Sequence, residues 1–255
     1  MKLRPRLLAT PLGVLIATTC AASVPTPMMS APTGASMTAQ ADLVAQLAQG
    51  RNARGLDGNH GFTLAQQHPG MQGTQVIRAA HTYKGLRVFG SESVVVIDAK
   101  GAILSESASE RRLHLGRGAA NRLGAATLDF DVKPLMPTKA AIDVAVGATL
   151  AATGPEATHI TPPSAELLIY PVMKTERAAS AEGKPEAELN ALDVTEVVDY
   201  YELAYLVRTR MQRADHPYYH DTIVSARDGR ILARWSALQT VVGVGKSQYN
   251  GEVPI

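Results

Sequence analysis

The nearest approach in this chain to a zinc-binding string is His216-Pro-Tyr-Tyr-His220, followed by Asp221. A hydrolytic site of the His-Glu-x-x-His kind sets two imidazoles on one face of a helix, so both reach one metal while the glutamate activates water. Here the second position is proline, no glutamate intervenes, and the pattern around it predicts a turn entering a strand. The two histidines therefore read as ordinary side chains, and no His-Glu-x-x-His string occurs in the 255 residues. Asp129 and Asp131 have the spacing that opens a calcium loop, but no third ligand and no closing glutamate follow in register, which favours a turn. No serine lies in Gly-x-Ser-x-Gly, and Cys20 is the sole cysteine. Glu92 has no partner at a spacing that would make it a catalytic carboxylate. No catalytic residue, no metal site and no cofactor is expected in this chain.

These residues must be carried by β-structure, and the organising stretch is 81–104, HTYKGLRVFGSESVVVIDAKGAIL. Tyr83, Leu86, Val88 and Phe89 give an apolar entry; Gly85 and Gly90 permit backbone angles that other residues resist; Val94 to Ile97 is a β-branched run. Asp98-Ala99-Lys100-Gly101 supplies a turn before Ile103 and Leu104 resume an extended segment. The expectation is a β-meander with one buried face. Phe62 to Leu64 and Gln75 to Arg78 read as further strands, with a turn at His68-Pro69-Gly70.

The string Tyr-Lys-Gly-Leu-Arg-Val-Phe-Gly-Ser-Glu, followed by a valine strand and a glycine turn, resembles the fungalysin/thermolysin propeptide (FTP) module that precedes the catalytic domain of thermolysin-like zinc metalloproteases. The recognisable core of that module stands at Tyr83, Gly85, Val88, Phe89, Gly90 and Glu92. The resemblance implies folding determinants without chemistry of their own.

The composition fits an exported protein that has no nucleic-acid partner. A formal charge of +2 with 19% charged residues leaves no electrostatic footprint for phosphate backbones, and 45% hydrophobic residues suffice for a core. Lys2, Arg4 and Arg6 precede a mostly apolar stretch over 7–17, and Cys20-Ala21-Ala22-Ser23 offers small residues for cleavage. This reads as an export signal, too short for stable membrane insertion, and places the protein in the secreted or periplasmic space. Ala17-Thr18-Thr19 lacks the usual pattern ahead of a lipidated cysteine.

Further along, 41–47 is a short helix candidate and 138–151 the clearest one. Thr138 is available as its cap, and Ile142, Ala145, Val146, Thr149 and Leu150 fall on one stripe, with Gly154-Pro155 as the stop. Residues 165–172 and 200–209 read as strands, and the polar stretch 175–189 as an exposed loop. Setting 94–104 over 222–232 matches Val96 with Val224, Gly101 with Gly229, Ile103 with Ile231 and Leu104 with Leu232. This suggests a repeated strand–turn–strand unit. The second unit is similar to the PepSY-type half of thermolysin-family prosequences.

The fold class expected is α+β, with two small antiparallel-sheet units in tandem, each with helix packing, after a signal peptide and flexible lead-in. The boundaries are a signal at 1–23, a lead-in with a short helix at 24–61, an FTP-like β module at 62–115, a PepSY-like module at 116–238, and the start of a mature protease chain at 239–255. Gly243-Val244-Gly245-Lys246 with Gly251 resembles the opening of such a mature chain, truncated soon after it begins. The resemblance implies a processing junction near Leu238, Gln239 and Thr240. It also implies a thermolysin-like catalytic domain as partner, in cis or in trans, with zinc and calcium held only by that missing domain. The implied function is that of an intramolecular chaperone and inhibitor. A stand-alone exported inhibitor or binding module acting in trans is the alternative, and a ligand-binding periplasmic domain a more distant one.

Overall fold

A computed structural model describes residues 37–117, 119–120, 126–127, 129–214, 216–238, 244–247 and 251–254. The expected signal at 1–23 and the first part of the lead-in lie outside them. Helix α1 (Met37–Gln49) is longer than the sequence suggested, and its Leu43 and Leu47, four residues apart, are both buried. They pack on Phe62, Ile77, Ala79, Val95 and Ile97 of the strands that follow: β1 (His60–Pro69), β2 (Gln75–Tyr83) and β3 (Leu86–Ile97). Next come β4 (Ile103–Ser109), a small ribbon of β5 (Ala119–Ala120) with β6 (Ala126–Thr127), and helix α2 (Thr138–Thr153). The chain continues through β7 (Thr158–Arg177), β8 (Val194–Arg213), β9 (His216–Ser225) and β10 (Ile231–Ser236), and the described part ends on a ribbon of β11 (Val244–Ser247) with β12 (Gly251–Pro254).

The expected α+β pair of small units in tandem is overturned. The chain is mostly β, and one mixed eight-stranded sheet runs β1-β2-β3-β7-β8-β9-β10, with β4 attached to β3 off this path. Among the described residues α1 and α2 are the two α-helices, so helix packing is a minor part of the fold.

The cause is β3. Its buried positions are Val88, then Ser91, Ser93, Val95 and Ile97, so the alternation changes phase between Val88 and Ser91. Gly90 lies in that interval at φ 66°, a left-handed conformation that glycine adopts without steric cost. The pairing of β2 with β3 also slips there, from Ala80 opposite Glu92 to Thr82 opposite Arg87. This bulge lets the two ends of β3 serve different neighbours. Before it, Val88 lies parallel to Ile169 of β7; after it, Glu92 to Ile97 pairs antiparallel with β4.

One apolar core therefore spans both halves. Tyr83, Val88 and Leu115 pack with Ile169, Tyr201, Leu203, Tyr205, Val207 and Val224, and with Ala141 and Ala145 of α2. The described residues fall in one compact unit.

Local expectations are adjusted in physical ways. The buried stripe of α2 is Ala141, Ala145, Thr149 and Thr153, one residue off the predicted Ile142-centred face. Small side chains let the helix approach β8, where Thr149 Oγ1 lies 3.1 Å from Thr209 Oγ1. Pro137, not Thr138, is the N-cap, and no side chain caps the helix. Strands β7 and β8 each run 20 residues: β7 extends to Arg177, into the start of the expected 175–189 loop, and β8 begins at Val194, ahead of the strand expected at 200–209. Their outer ends pair mainly with each other, so both faces are wet and no hydrophobic alternation announces them.

Candidate functional site

The six expected core residues do not converge on one point. Tyr83 and Val88 are fully buried in the core that joins the halves. The Tyr83 hydroxyl donates to Asp129 Oδ1 at 3.3 Å, and Lys84 Nζ lies 2.5 Å from the same atom. Asp129 is thus an ion-pair and hydrogen-bond partner, while Asp131 Oδ1 accepts the Lys133 amide in a local turn. Gly85, at φ 80°, closes the turn between β2 and β3. Phe89 points to the opposite face from Val88 and meets Tyr170 and Trp235 at ring-centroid distances of 5.6 and 5.8 Å. A Cβ on Gly90 would lie 2.8 Å from Arg111 Nη1, so its hydrogen is what allows that guanidinium to pass. Glu92 points outward and pairs with Arg78 at 2.7 Å on the surface, a contact of small energetic weight. Of the junction residues, Leu238 is half-buried and follows β10, whereas Gln239 and Thr240 lie outside the described residues.

Beneath β3 the structure places a buried polar network that sequence reasoning missed. His81, with no exposed side-chain surface, holds Ser91 Oγ at 2.8 Å from Nδ1 and Ser93 Oγ at 2.8 Å from Nε2. Ser93 Oγ in turn donates to Glu106 Oε1 at 2.7 Å, and Glu106 is gripped by both terminal nitrogens of Arg54. That arginine holds the Glu106 carboxyl below its ordinary range. Glu110 Oε1 lies 3.5 Å from His81 Nδ1 and accepts Arg112 Nε at 3.0 Å. Arg112 is fully buried, donates to the Gly61 carbonyl at 2.7 Å and stacks 4.6 Å from the Phe62 ring centroid. The network ties the α1–β1 connection, β1, β2, β3 and the exit of β4 together.

The signal was present in the sequence: Ser91 and Ser93 occupy the same alternating face as Val95 and Ile97, and polar residues at core positions require buried partners. The arrangement has serine hydroxyls, a histidine and carboxylates, yet the serines face a ring wedged in the core. It organises the sheet and offers no access for a substrate.

His216 and His220 lie on β9, so Pro217 to Tyr219 are strand residues and not the turn expected from the sequence. Four residues along a strand separate them by about 13 Å, too far to share one metal. Burial, with Arg234 and Arg210 nearby, pushes the His220 imidazole below its ordinary pKa. Arg234 on β10 carries buried Nε and Nη2 atoms that have no hydrogen-bond partner. Across β3, β7 and β8, Glu166 accepts from Arg87 Nε at 2.7 Å and from Arg208 Nη2 at 3.2 Å.

One comparison is with protein-family models. The model for the Fungalysin/Thermolysin Propeptide Motif, FTP, matches residues 61–108, which run from β1 to near the end of β4. Over residues 61–108 the chain is similar to that propeptide motif. The six residues singled out above all lie inside it. Beneath them the FTP motif also contains His81, Ser91, Ser93 and Glu106, whereas Glu110 and Arg112 stand just past its end. No curated protein matches this chain. Among solved structures, the Bacillus megaterium YpeB C-terminal domain is similar at 12% identity over 77% of this chain, with a TM-score of 0.29; the match spans 64% of that domain's length.

Proposed function

We propose that this chain is the prosequence of a secreted thermolysin-like metalloprotease, acting as chaperone and inhibitor of the catalytic domain. The observation that carries the proposal is the FTP motif at 61–108. Its residues are spent on cohesion: Tyr83 and Val88 on the shared core, Gly90 on the bulge, and His81 with its partners on a polar network. A rigid, preformed surface suits a templating role. A chaperone of this kind accelerates folding by binding the transition state more tightly than the unfolded chain, and an inhibitor stabilises the occupied state by mass action. Zinc and calcium would belong to the catalytic domain, and the chemistry of hydrolysis would be that domain's. The segment after β10, through Leu238, Gln239 and Thr240, is the part that would enter the protease cleft and be cut. Among the described residues no helix is long and apolar enough to cross a membrane.

The test is steady-state hydrolysis of a peptide substrate by a folded thermolysin-like protease with the purified chain added. Inhibition at micromolar concentration, relieved once the chain is cut near Leu238, is expected. Full activity at that concentration would remove the inhibitory half of the proposal.

A further inference from the structure

The β9–β10 hairpin carries a cluster of buried polar atoms that no hydrogen bond satisfies: His220 Nδ1 and Thr222 Oγ1 on β9, and Arg234 Nε and Nη2 on β10. Thr222 pairs directly with Arg234, and His220 with Ser236, so His220 and Arg234 are diagonal neighbours on one face of the ribbon. On the β8 side, Thr209 Oγ1 and Arg210 Nη1 donate to the His220 carbonyl at 3.3 and 3.0 Å. Arg210 Nη1 also lies 2.9 Å from Asp221 Oδ1, which compensates its charge. Helix α2 packs on the same strands, but its charged residues, Lys139 and Asp143, are exposed and pair with each other at 2.7 Å. Burial first, then Arg234 and Arg210, press the His220 ring toward its neutral form, and Asp221 opposes them. A proton added to the ring would set a third cation beside two guanidiniums and leave its Nδ1–H without an acceptor.

Strand β10 is the part that can yield. It is six residues long, ends the sheet, pairs among the described residues with β9 alone, and slips in register between Ile231 and Ala233. Moving it away costs the contact of Trp235 with Phe89, but it also takes Arg234 from His220 and admits water to the ring. We propose that this hairpin is an acid-operated latch, in which a proton on His220 releases β10 from β9. The closed form is favoured above the ordinary imidazole pKa of about 6.5. As pH falls from there toward the depressed value, one proton taken up on opening raises the opening constant by up to about tenfold per pH unit, and below that interval His220 adds nothing further. Beyond β10, the Ala237 amide is held by the Tyr219 carbonyl at 2.8 Å and the Leu238 amide by Ser236 Oγ at 3.3 Å, so release of β10 also frees Leu238. Reading that as exposure of the cut site rests on the prosequence function, but the latch itself does not.

The experiment therefore needs no protease. Hydrogen exchange of the full chain between about pH 7.5 and 5, a range above the ordinary carboxylate values, is corrected for the intrinsic pH dependence of amide exchange. It gives opening constants for β10 and, as a reference, for the buried stretch of β8 from Leu203 to Val207. The expected result is that β10 opens more readily than β8 at every pH, with a constant that climbs below about pH 6.5 by up to tenfold per unit. His220→Gln, which takes up no proton, should flatten the climb. Arg234→Met, which removes the cation across the ribbon, should narrow its pH interval, and His216→Gln, at an exposed position of the same strand, should leave it unchanged. Equal opening constants in the two segments, a β10 constant independent of pH, or the same climb in His220→Gln would overturn the proposal. A latch that opens in a chain that fails to inhibit protease would leave the device standing and remove its role at the cut site; inhibition by a chain whose β10 ignores pH would do the reverse.

Discussion

Replacing Val88 by alanine should destabilise the whole sheet in one step. Val88 is fully buried and is the residue of β3 that pairs with Ile169 of β7, in a core shared with Tyr83, Leu115 and Tyr201. Loss of two buried methyl groups costs about 1.6 kcal/mol at about 0.8 kcal/mol each. The residual cavity adds on the order of 1 kcal/mol, because close-packed neighbours relax only in part. A total of about 2.5 kcal/mol lowers the midpoint of thermal unfolding by roughly 5–10 °C for a chain of this size. Circular dichroism follows the whole sheet, and hydrogen exchange at Val95 and at Val224 reports the two halves separately. Both sites should lose protection together, since Val224 packs in the cluster that contains Val88, and Val95, which packs under α1, lies on the same strand as Val88 within one continuous sheet. A variant in which Val95 exchanges faster while Val224 keeps its protection would refute the single-core account and restore two independent units.

Gly90→Ala should cost about 1–2 kcal/mol from the left-handed backbone alone, and Arg111→Ala in the same chain should recover only the part due to the 2.8 Å approach; equal stability of Gly90→Ala and the parent in urea would refute the bulge argument. Glu106 has a folded-state pKa below its unfolded value, so it contributes stability above about pH 4.3 that is lost as pH falls through the folded pKa; Glu106→Gln should flatten the acid limb of a stability-versus-pH curve, and an unchanged limb would show that Arg54 does not act on it. Arg234→Met removes a guanidinium whose buried nitrogens lack partners, and should leave stability unchanged or raise it by about 1 kcal/mol; a loss above about 2 kcal/mol would show that the charge is compensated.

The parts of the fold that sequence made legible are those with strong local patterns. The Asp98-to-Gly101 turn forms as expected, with Asp98 Oδ1 accepting the Lys100 and Ala102 amides and Gly101 at φ 87°. The repeat between 94–104 and 222–232 is also visible as two antiparallel hairpins, β3–β4 and β9–β10, though they are parts of one sheet. What sequence hid is non-local. The parallel contact between Val88 and Ile169 joins residues far apart in the chain, and no periodicity within either strand encodes it. The change of phase at Gly90 was readable only as a permissive glycine, because the strand that benefits, β7, lies beyond α2. Likewise Ser91 and Ser93 carried their message only in combination with His81, a residue on the neighbouring strand.

The most direct test of the central claim is refolding. A thermolysin-like catalytic domain is denatured and diluted into buffer with zinc and calcium, with or without an equimolar amount of the purified chain, and active protease is titrated after the chain has been digested away. The account predicts that active enzyme is recovered in substantially greater amount when the chain is present, and that Val88→Ala, which loosens the template, lowers that yield. Equal recovery with and without the chain, for a chain whose circular dichroism shows it folded, would contradict it.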